Sequence, residues 1–202
     1  MLNIRTEIRD EATPLLRRLH AQLAPGKRRP LMAFAGKALE RALREHFADR
    51  DNDTTTARAR KGWPKQHFWA RRIRDNTVLA EVTPDTATVR IASREFRQKY
   101  YGGTIRPGPG KRALAIPLTR DTYGKRASSN PVEGGLFVWK SPKTGKAFLA
   151  GNTPAADGSL QLYYRLIRSV RQQPDPRALP PQATTARTID TALQRWANRR
   201  LK

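Results

Sequence analysis

The chain has 202 residues, with 40 Lys+Arg against 17 Asp+Glu, a formal net charge of +23 and no cysteine. The lack of cysteine excludes disulfides, thiolate zinc sites and thiol nucleophiles. No uncharged apolar run of the sequence approaches the roughly 20 residues of a membrane span. Its length suits one core of ordinary size with helical appendages, and a hydrophobic content of 38% is modest for a compact domain.

Such an excess of positive charge attracts anions before any specific contact forms. Nucleic acid or an acidic protein surface is therefore the expected neighbour, and the alternative is that the charge only keeps the protein in solution. The first twenty residues carry scattered charges and no apolar core segment, so no secretory signal is expected.

Two amphipathic helices are predicted at the N-terminal end. Apolar residues recur at helical spacing from Ile4 to Leu23, with Pro14 as a candidate break, until Pro25-Gly26 ends the pattern. A second helix is predicted from Pro30, which suits a first helical turn, to Phe47. The short basic turn between them predicts a helical hairpin.

The next segment is polar and basic. Residues 49–61 lack apolar periodicity, which predicts a mobile loop, and the loop ends with Arg58, Arg60 and Lys61. Three aromatic residues then alternate with cations, as at nucleic-acid surfaces: Trp63, Phe68 and Trp69 among Lys65, Arg71, Arg72 and Arg74. The favoured interpretation is that these aromatics cap the helical hairpin while the arginines are solvated.

About six strands are predicted, of which the hairpin and the longest strand show alternating apolar residues. Val78, Ala80 and Val82 lead into a turn at Pro84-Asp85-Thr86, after which Ala87, Val89 and Ile91 complete a hairpin with one apolar face. The further strands are predicted at residues 114–118, 136–140 and 147–150, and in a longer strand from Leu160 to near Val170.

A glycine-proline stretch separates these strands. It reads Tyr100-Tyr101-Gly102-Gly103-Thr104-Ile105-Arg106-Pro107 and continues through a basic Pro/Gly loop to Ala113-Leu114-Ala115-Ile116-Pro117-Leu118. Adjacent glycines free the backbone and the prolines exclude a continuing helix, which predicts a rigid loop between extended pieces. No catalytic side chain lies in this stretch. We therefore expect its specificity to come from its shape, which indicates a role in assembly rather than in catalysis.

The C-terminal part contains a proline-rich strap, residues 172–181, and a final helix from Thr188 to Leu201. The predicted class is α+β, with an N-terminal helical hairpin, an antiparallel sheet of about six strands and a C-terminal helix. We expect a single domain over residues 1–202 with arms. Residues 1–75 form the hairpin and basic loop, 76–172 the sheet core, and 173–202 the strap and closing helix.

Motifs for metal binding, nucleotide binding and catalysis are incomplete in this sequence. Asp49, Asp51 and Asp53 imitate a calcium loop, but its sixth and twelfth positions are Thr54 and Arg60 instead of glycine and glutamate. Neither Gly103 to Gly108 nor Gly145-Lys146 completes a phosphate-binding loop. The three histidines are widely spaced, and nothing predicts that Asp85, Glu95 and Glu133 converge on a divalent ion. We therefore expect no catalytic residue, no cofactor and no metal.

The order of these elements resembles the virion morphogenesis, or tail completion, family of Mu-like tailed bacteriophages. The most specific piece is the glycine pair followed by Ala113-Leu114-Ala115-Ile116-Pro117. The Gly62-Trp63-Pro64 segment, the strand Tyr163 to Val170, the proline strap and the closing helix fit the same pattern, from about Leu31 to the C-terminus.

The resemblance implies a structural, non-enzymatic subunit at the head-tail junction, in a ring between portal or adaptor and tail-tube or tail-terminator proteins. The protein would be in the virion neck or tail, and in the host cytoplasm before assembly. Ring contacts are heterologous and require protruding arms or loops. We expect Arg58, Arg60, Lys61, Arg106, Lys111 and Arg112 to face either DNA phosphates or an acidic neighbour.

Fixed arginines in a DNA channel would slow DNA that must later leave, so acidic protein partners are at least as plausible as DNA. The alternative function is a stand-alone basic DNA-binding protein that uses Trp63 to Arg74 as its contact surface.

Overall fold

The computed structural model describes residues 12–129, 131–152 and 158–201. The chain divides into two compact units: unit 1 comprises Met1–Phe47, Ala70–Ser93 and Leu179–Lys202, and unit 2 comprises Ala48–Trp69 and Arg94–Ala178. Each unit combines stretches that are distant in sequence. Among the described helices, none has the length and apolar character needed to cross a membrane.

Unit 1 contains the three predicted helices. They are α1 (Ala12–Gln22), α2 (Arg29–Arg50, whose last three residues belong to unit 2) and, at the C-terminal end, α5 (Gln182–Leu201). Pro30 lies in the first turn of α2, as predicted. The part of the first predicted helix that contains Ile4 and Ile8 lies outside the described residues. The carbonyl of Pro181 accepts hydrogen bonds from the backbone N of Thr184 (3.0 Å) and Thr185 (3.2 Å), which starts α5 directly after the prolines.

The hairpin of unit 1 follows a π-helical turn (Trp69–Ile73) and a 3-10 turn (Arg74–Asn76). Strand β1 (Thr77–Val82) pairs antiparallel with β2 (Ala87–Ile91), with a β-bulge between Leu79 and Glu81. The bulge changes which residues of β1 face inward. Thr77 is buried and Leu79 half-buried, while Val78 and Ala80 are exposed, so the predicted apolar face of β1 is wrong for these two residues.

Helix α2 approaches this hairpin closely at Gly36. A Cβ at this position would lie 2.7 Å from Cδ1 of Leu79 and 2.8 Å from Cβ of Ala87, so glycine permits the contact. The side chains that unit 1 buries most completely come from its helices, the turn and the hairpin: Leu43, Phe47, Ile73, Thr77, Ala192 and Trp196.

The described residues of unit 2 form two short helices and six strands. The helices are α3 (Ala57–Arg60) and α4 (Arg94–Tyr101), and a 3-10 turn covers Ala127–Ser129. The strands are β3 (Gly103–Ile105), β4 (Leu114–Pro117), β5 (Leu136–Lys140), β6 (Ala147–Gly151), β7 (Leu162–Ile167) and β8 (Val170–Gln172).

Strands β4-β7-β6-β5 form a four-stranded antiparallel sheet, and β3 pairs with β8. The α+β class is confirmed, but the expectation of one sheet of about six strands is wrong. The described strands form sheets of two, two and four. The long strand predicted to end near Val170 is interrupted at Arg168-Ser169, so that β7 and β8 pair with different partners.

Tyr164 on the central strand β7 is fully buried in unit 2. Its hydroxyl donates to the carbonyl of Lys125 (3.3 Å), and the hydroxyl of Thr122, also fully buried, donates to the carbonyl of Tyr163 (3.2 Å). Burial raises the pKa of the Tyr164 hydroxyl. These bonds tie the segment after β4 to the centre of the sheet, since buried polar groups require partners.

Two further expectations differ from the structure. The glycine-proline stretch does not begin as a loop, because Tyr100 and Tyr101 end α4 and Gly103 to Ile105 form β3. The polar segment 49–61, predicted as a mobile loop, contains the end of α2, helix α3 and side-chain hydrogen bonds to its own backbone.

Candidate interaction surface

Residues 106–112, which we call the basic loop, connect β3 to β4 in unit 2. Arg106, Lys111 and Arg112 are exposed, and within the described chain their side chains make no hydrogen bond or ion pair. The backbone N of Lys111 donates to the carbonyl of Gly108 (3.1 Å), which closes a turn. Pro107 and Pro109 fix φ on either side of Gly108. The loop therefore presents three cations from a restricted backbone.

The basic loop is anchored where α4 ends. Gly102 has a φ of +71°, the left-handed conformation that commonly terminates helices. The Nε2 of Gln98 donates to the carbonyl of Gly102 (3.2 Å), and the backbone N of Asp175 donates to the carbonyl of Lys99 (2.9 Å). The proline strap thus packs against the end of α4 within unit 2.

The other three predicted contact residues lie on α3 and the following turn. Arg58 is half-buried and its Nη2 donates to the carbonyl of Asp51 (3.2 Å), while the ammonium of Lys61 lies 4.5 Å from the ring centre of Trp63. Arg60 is exposed. In the described residues no hydrogen bond or ion pair joins this group to the basic loop. Two of these three cations are thus already engaged inside unit 2.

A cluster of ion pairs holds the α3 segment. Asp53 accepts hydrogen bonds from the backbone N (2.8 Å) and hydroxyl (2.6 Å) of Thr55 and pairs with Arg50 (3.1 Å) and Arg177 (3.2 Å). Arg50 also pairs with Asp175 and lies 4.8 Å from the ring centre of Trp69. The two hydrogen bonds from Thr55 lower the pKa of Asp53, and the charges of Arg177 and Arg50 lower it further.

This lowered pKa predicts a specific pH dependence of stability. The Asp53 carboxylate stabilises the fold at pH values above its pKa in the unfolded chain, which is about 3.9. This contribution is lost as the pH falls through the lower pKa of Asp53 in the folded protein. The difference in unfolding free energy between the wild type and Asp53→Asn is therefore expected to be constant from neutral to mildly acidic pH and to shrink below about pH 4. Urea titrations at several pH values measure it.

Asp121→Asn is the control for this measurement, because Asp121 is an exposed carboxyl of the same unit. Its difference from the wild type is expected to stay small at every pH. A wild-type advantage over Asp53→Asn that persists unchanged at pH 3 would contradict the assignment.

The aromatic residues of the predicted basic-aromatic segment are packed inside unit 2. Trp69 is 8% exposed, and the ring centres of Trp63 and Tyr123 are 4.8 Å apart. The ammonium of Lys99 lies 5.6 Å from the ring centre of Phe68. These rings therefore have structural partners, which reduces the stacking surface they offer to bases.

Among the described residues, no group of three or more His, Asp or Glu side chains is placed to hold a metal ion. The arrangement in unit 2 suits recognition of anionic groups by exposed cations.

The sequence patterns did not predict one further cationic surface. In unit 1 a groove between α2 and α5 is lined by five cations, Lys37, Arg41, Arg187, Arg195 and Arg199. The signal was present as cations spaced four or eight residues apart on each helix, but nothing in the sequence predicted that α2 and α5 would line the same groove.

Comparison of the chain with protein-family models, with curated proteins and with solved structures finds no match.

Proposed function

We propose that the protein is a structural component of a tailed-phage neck, a tail completion or head-tail joining subunit that assembles as a ring at the portal-tail junction. The motif resemblance suggests this role. The observation that carries it furthest is the basic loop, which offers three exposed cations from a backbone anchored at Gly102. These cations have no side-chain partner within the described part of the chain.

Pre-organisation makes this loop suited to binding. Ordering a flexible loop on association costs free energy that subtracts from affinity. The prolines and the turn at Lys111 reduce that cost, since the backbone is restricted before a partner arrives. An anionic partner then gains charge-assisted contacts without first having to displace an internal ion pair.

Exposed apolar side chains of unit 2 support a role in assembly. Tyr101 is 70% exposed and Val138 67% exposed. Val138 lies on β5, which is an edge strand of the four-stranded sheet, as is β4. Edge strands present unpaired backbone groups, and in a ring each subunit offers one patch to a different patch of its neighbour.

The anionic partner is an acidic neighbouring protein or the packaged DNA. Cations fixed along a DNA channel would retard DNA that must leave it, and their effect on binding would fall steeply with salt. Binding of these cations to an acidic protein ring would not retard the DNA. Both partners fit the same exposed cations, so the experiment must measure joining and DNA retention separately.

The test begins with deletion of the gene from the phage or prophage that carries it. We expect DNA-filled heads and complete tails that remain separate in electron micrographs, with joining restored by the wild-type gene. A variant with glutamine at Arg58, Arg60, Lys61, Arg106, Lys111 and Arg112 is expected to restore joining or DNA retention poorly, with a loss of about tenfold in particle titre.

The matched control removes the same charge from exposed positions elsewhere, by glutamine at Arg90, Arg126, Arg165, Arg168, Lys143 and Lys146. It is expected to complement like the wild type. Normal particles from the deletion strain would refute the neck function, and full complementation by the first variant would refute the proposed contact surface.

A stand-alone DNA-binding protein is the competing function, and the net charge of +23 is the observation that favours it. Such a protein should shift duplex DNA as a free monomer or dimer, with log affinity falling by about 0.9 per phosphate contact against log salt. A neck subunit should bind duplex weakly until it is assembled. A gel-shift series over several salt concentrations separates the two.

A further inference from the structure

The groove between α2 and α5 of unit 1 has a volume of about 710 Å³. One stripe of α2 lines it from Phe34 to Glu45, and one stripe of α5 lines it from Thr184 to Arg199. At 1.5 Å per residue the α2 stripe is roughly 16 Å long, which is three helical turns. The groove is thus elongated and runs between the two helices.

Small and apolar residues form the floor of the groove. Phe34, Ala38 and Ala42 line it from α2, and Ala192 lines it from α5. The hydroxyls of Thr188 and Thr191 already donate to the carbonyls of Thr184 (3.0 Å) and Arg187 (2.8 Å) of their own helix. Phe34, Ala38 and Ala42 are half-buried and so offer apolar surface for further burial, whereas Ala192 is already buried.

The rim of the groove is strongly cationic. Five cations line it against one carboxylate, Glu45. Lys37 is paired with Glu40 (2.9 Å), and the guanidinium of Arg199 lies 5.8 Å from the ring centre of Phe34. Arg41, Arg187 and Arg195 are exposed and, among the described residues, have no side-chain hydrogen bond or ion pair.

We propose that this groove binds an acidic amphipathic helix of a partner protein. A helix laid in the groove buries its apolar face on the alanine floor, while carboxylates on its flanks pair with Arg41, Arg187 and Arg195. The length of the α2 stripe predicts an occupant of about three turns. This proposal does not depend on the neck function, because it uses no residue of the basic loop.

Other occupants fit less well. A nucleic-acid backbone uses the guanidinium groups but gains nothing from the apolar floor. A second copy of this chain brings a net charge of +23 to a cationic rim, so association through the groove is opposed by like charge. Only an occupant that is both acidic and apolar matches the floor and the rim together.

The probe is a fluorescein-labelled peptide of about four turns, with leucine and alanine on one face and glutamate on the other. A scrambled peptide of the same composition has the same charge but no apolar face. Anisotropy titrations with the full chain are expected to show binding of the amphipathic peptide at least about tenfold tighter than of the scrambled one, which is about 1.4 kcal/mol.

Two variants locate the binding. Arg41→Glu/Arg195→Glu reverses the rim charge and is expected to weaken peptide binding by about a hundredfold, because repulsion replaces two charge-assisted contacts. Ala38→Leu narrows the groove without changing its charge. It should weaken binding of the amphipathic peptide but not of the scrambled one. The matched control is Arg72→Glu/Arg90→Glu, two exposed cations of unit 1 outside the groove, which should leave the affinity within about twofold of the wild type.

Several results would overturn the proposal. Equal affinity for the two peptides would mean non-specific charge attraction, and equal losses in the rim and control variants would place the binding elsewhere. A DNA duplex of 20 base pairs is added as a competitor. If it binds more tightly than the peptide and its binding is lost in Arg41→Glu/Arg195→Glu, the groove is assigned to nucleic acid. A self-associated species in sedimentation velocity that disappears with Ala38→Leu would assign it to a second copy.

Discussion

Replacing Gly102 with alanine is expected to destabilise unit 2 by about 3 kcal/mol, from left-handed strain of 1–2 kcal/mol and overpacking of 1–3 kcal/mol. The residue has a φ of +71°, and its missing Cβ would lie 2.7 Å from the carbonyl oxygen of Gln172 and 2.8 Å from the N of Pro174. Both atoms are backbone, so the overlap is relieved only by moving the proline strap away from α4.

Gly110→Ala is a matched control for this effect. Gly110 has nearly the same φ, +73°, but among the described residues no atom beyond its chain neighbours lies within 4 Å of a Cβ built there. It therefore carries the backbone strain without the collision, and a cost of about 1 kcal/mol is expected. Urea unfolding followed by tryptophan fluorescence measures both, since three of the four tryptophans, Trp63, Trp69 and Trp139, belong to unit 2. Equal costs would show that the close approach to the strap does not matter.

The importance of this glycine could be anticipated from the sequence, but its role could not. A Gly-Gly pair before prolines predicts unusual backbone geometry. The helix before it was missed because Arg94 to Tyr101 is short and strongly charged, with only Phe96 and Tyr100 as an apolar pair at helical spacing. The contact with Pro174 joins positions more than seventy residues apart, and no local pattern encodes it.

The strands illustrate the same division between local and distant information. Alternation located the β1–β2 hairpin and the long strand after Leu160, since side chains at every second position face one side. It did not predict that Arg168-Ser169 would separate β7 from β8, nor how the remaining strands would be divided between sheets. The bulge after Leu79 also escaped prediction, because a single extra residue reverses the facing of its neighbours without altering composition.

The candidate site was predictable to a similar extent. Clustered cations beside prolines identified the basic loop, whose three side chains are exposed. The sequence did not reveal that Arg58 bonds to its own segment or that Lys61 covers Trp63. The groove of unit 1 is lined by both α2 and α5, which are separated by more than a hundred residues, so no local pattern could predict it.

Replacing Arg50 with methionine is expected to destabilise unit 2 by about 3 kcal/mol. Arg50 pairs with both Asp53 and Asp175, and the exposed fractions of the three side chains are 11%, 11% and 20%. Methionine keeps an unbranched apolar stem but leaves Asp175 without its charge partner in a poorly solvated position. Arg50→Lys is expected to cost less, since it keeps the charge but loses the planar fork that contacts two carboxylates.

The coupling between Arg50 and Asp175 is measured by a double-mutant cycle with Asp175→Asn, and at least about 1 kcal/mol is expected because the two residues are in direct contact. Arg74→Met is the control, since Arg74 pairs with Asp75 at side-chain exposures of 38% and 46%. An exposed pair of this kind contributes about 0.5 kcal/mol and weakens with added salt. The Arg50 contribution should change little between low and high salt. A loss no larger than that of Arg74→Met would mean that the α3 segment is held by the Thr55 hydrogen bonds to Asp53 and not by this cation.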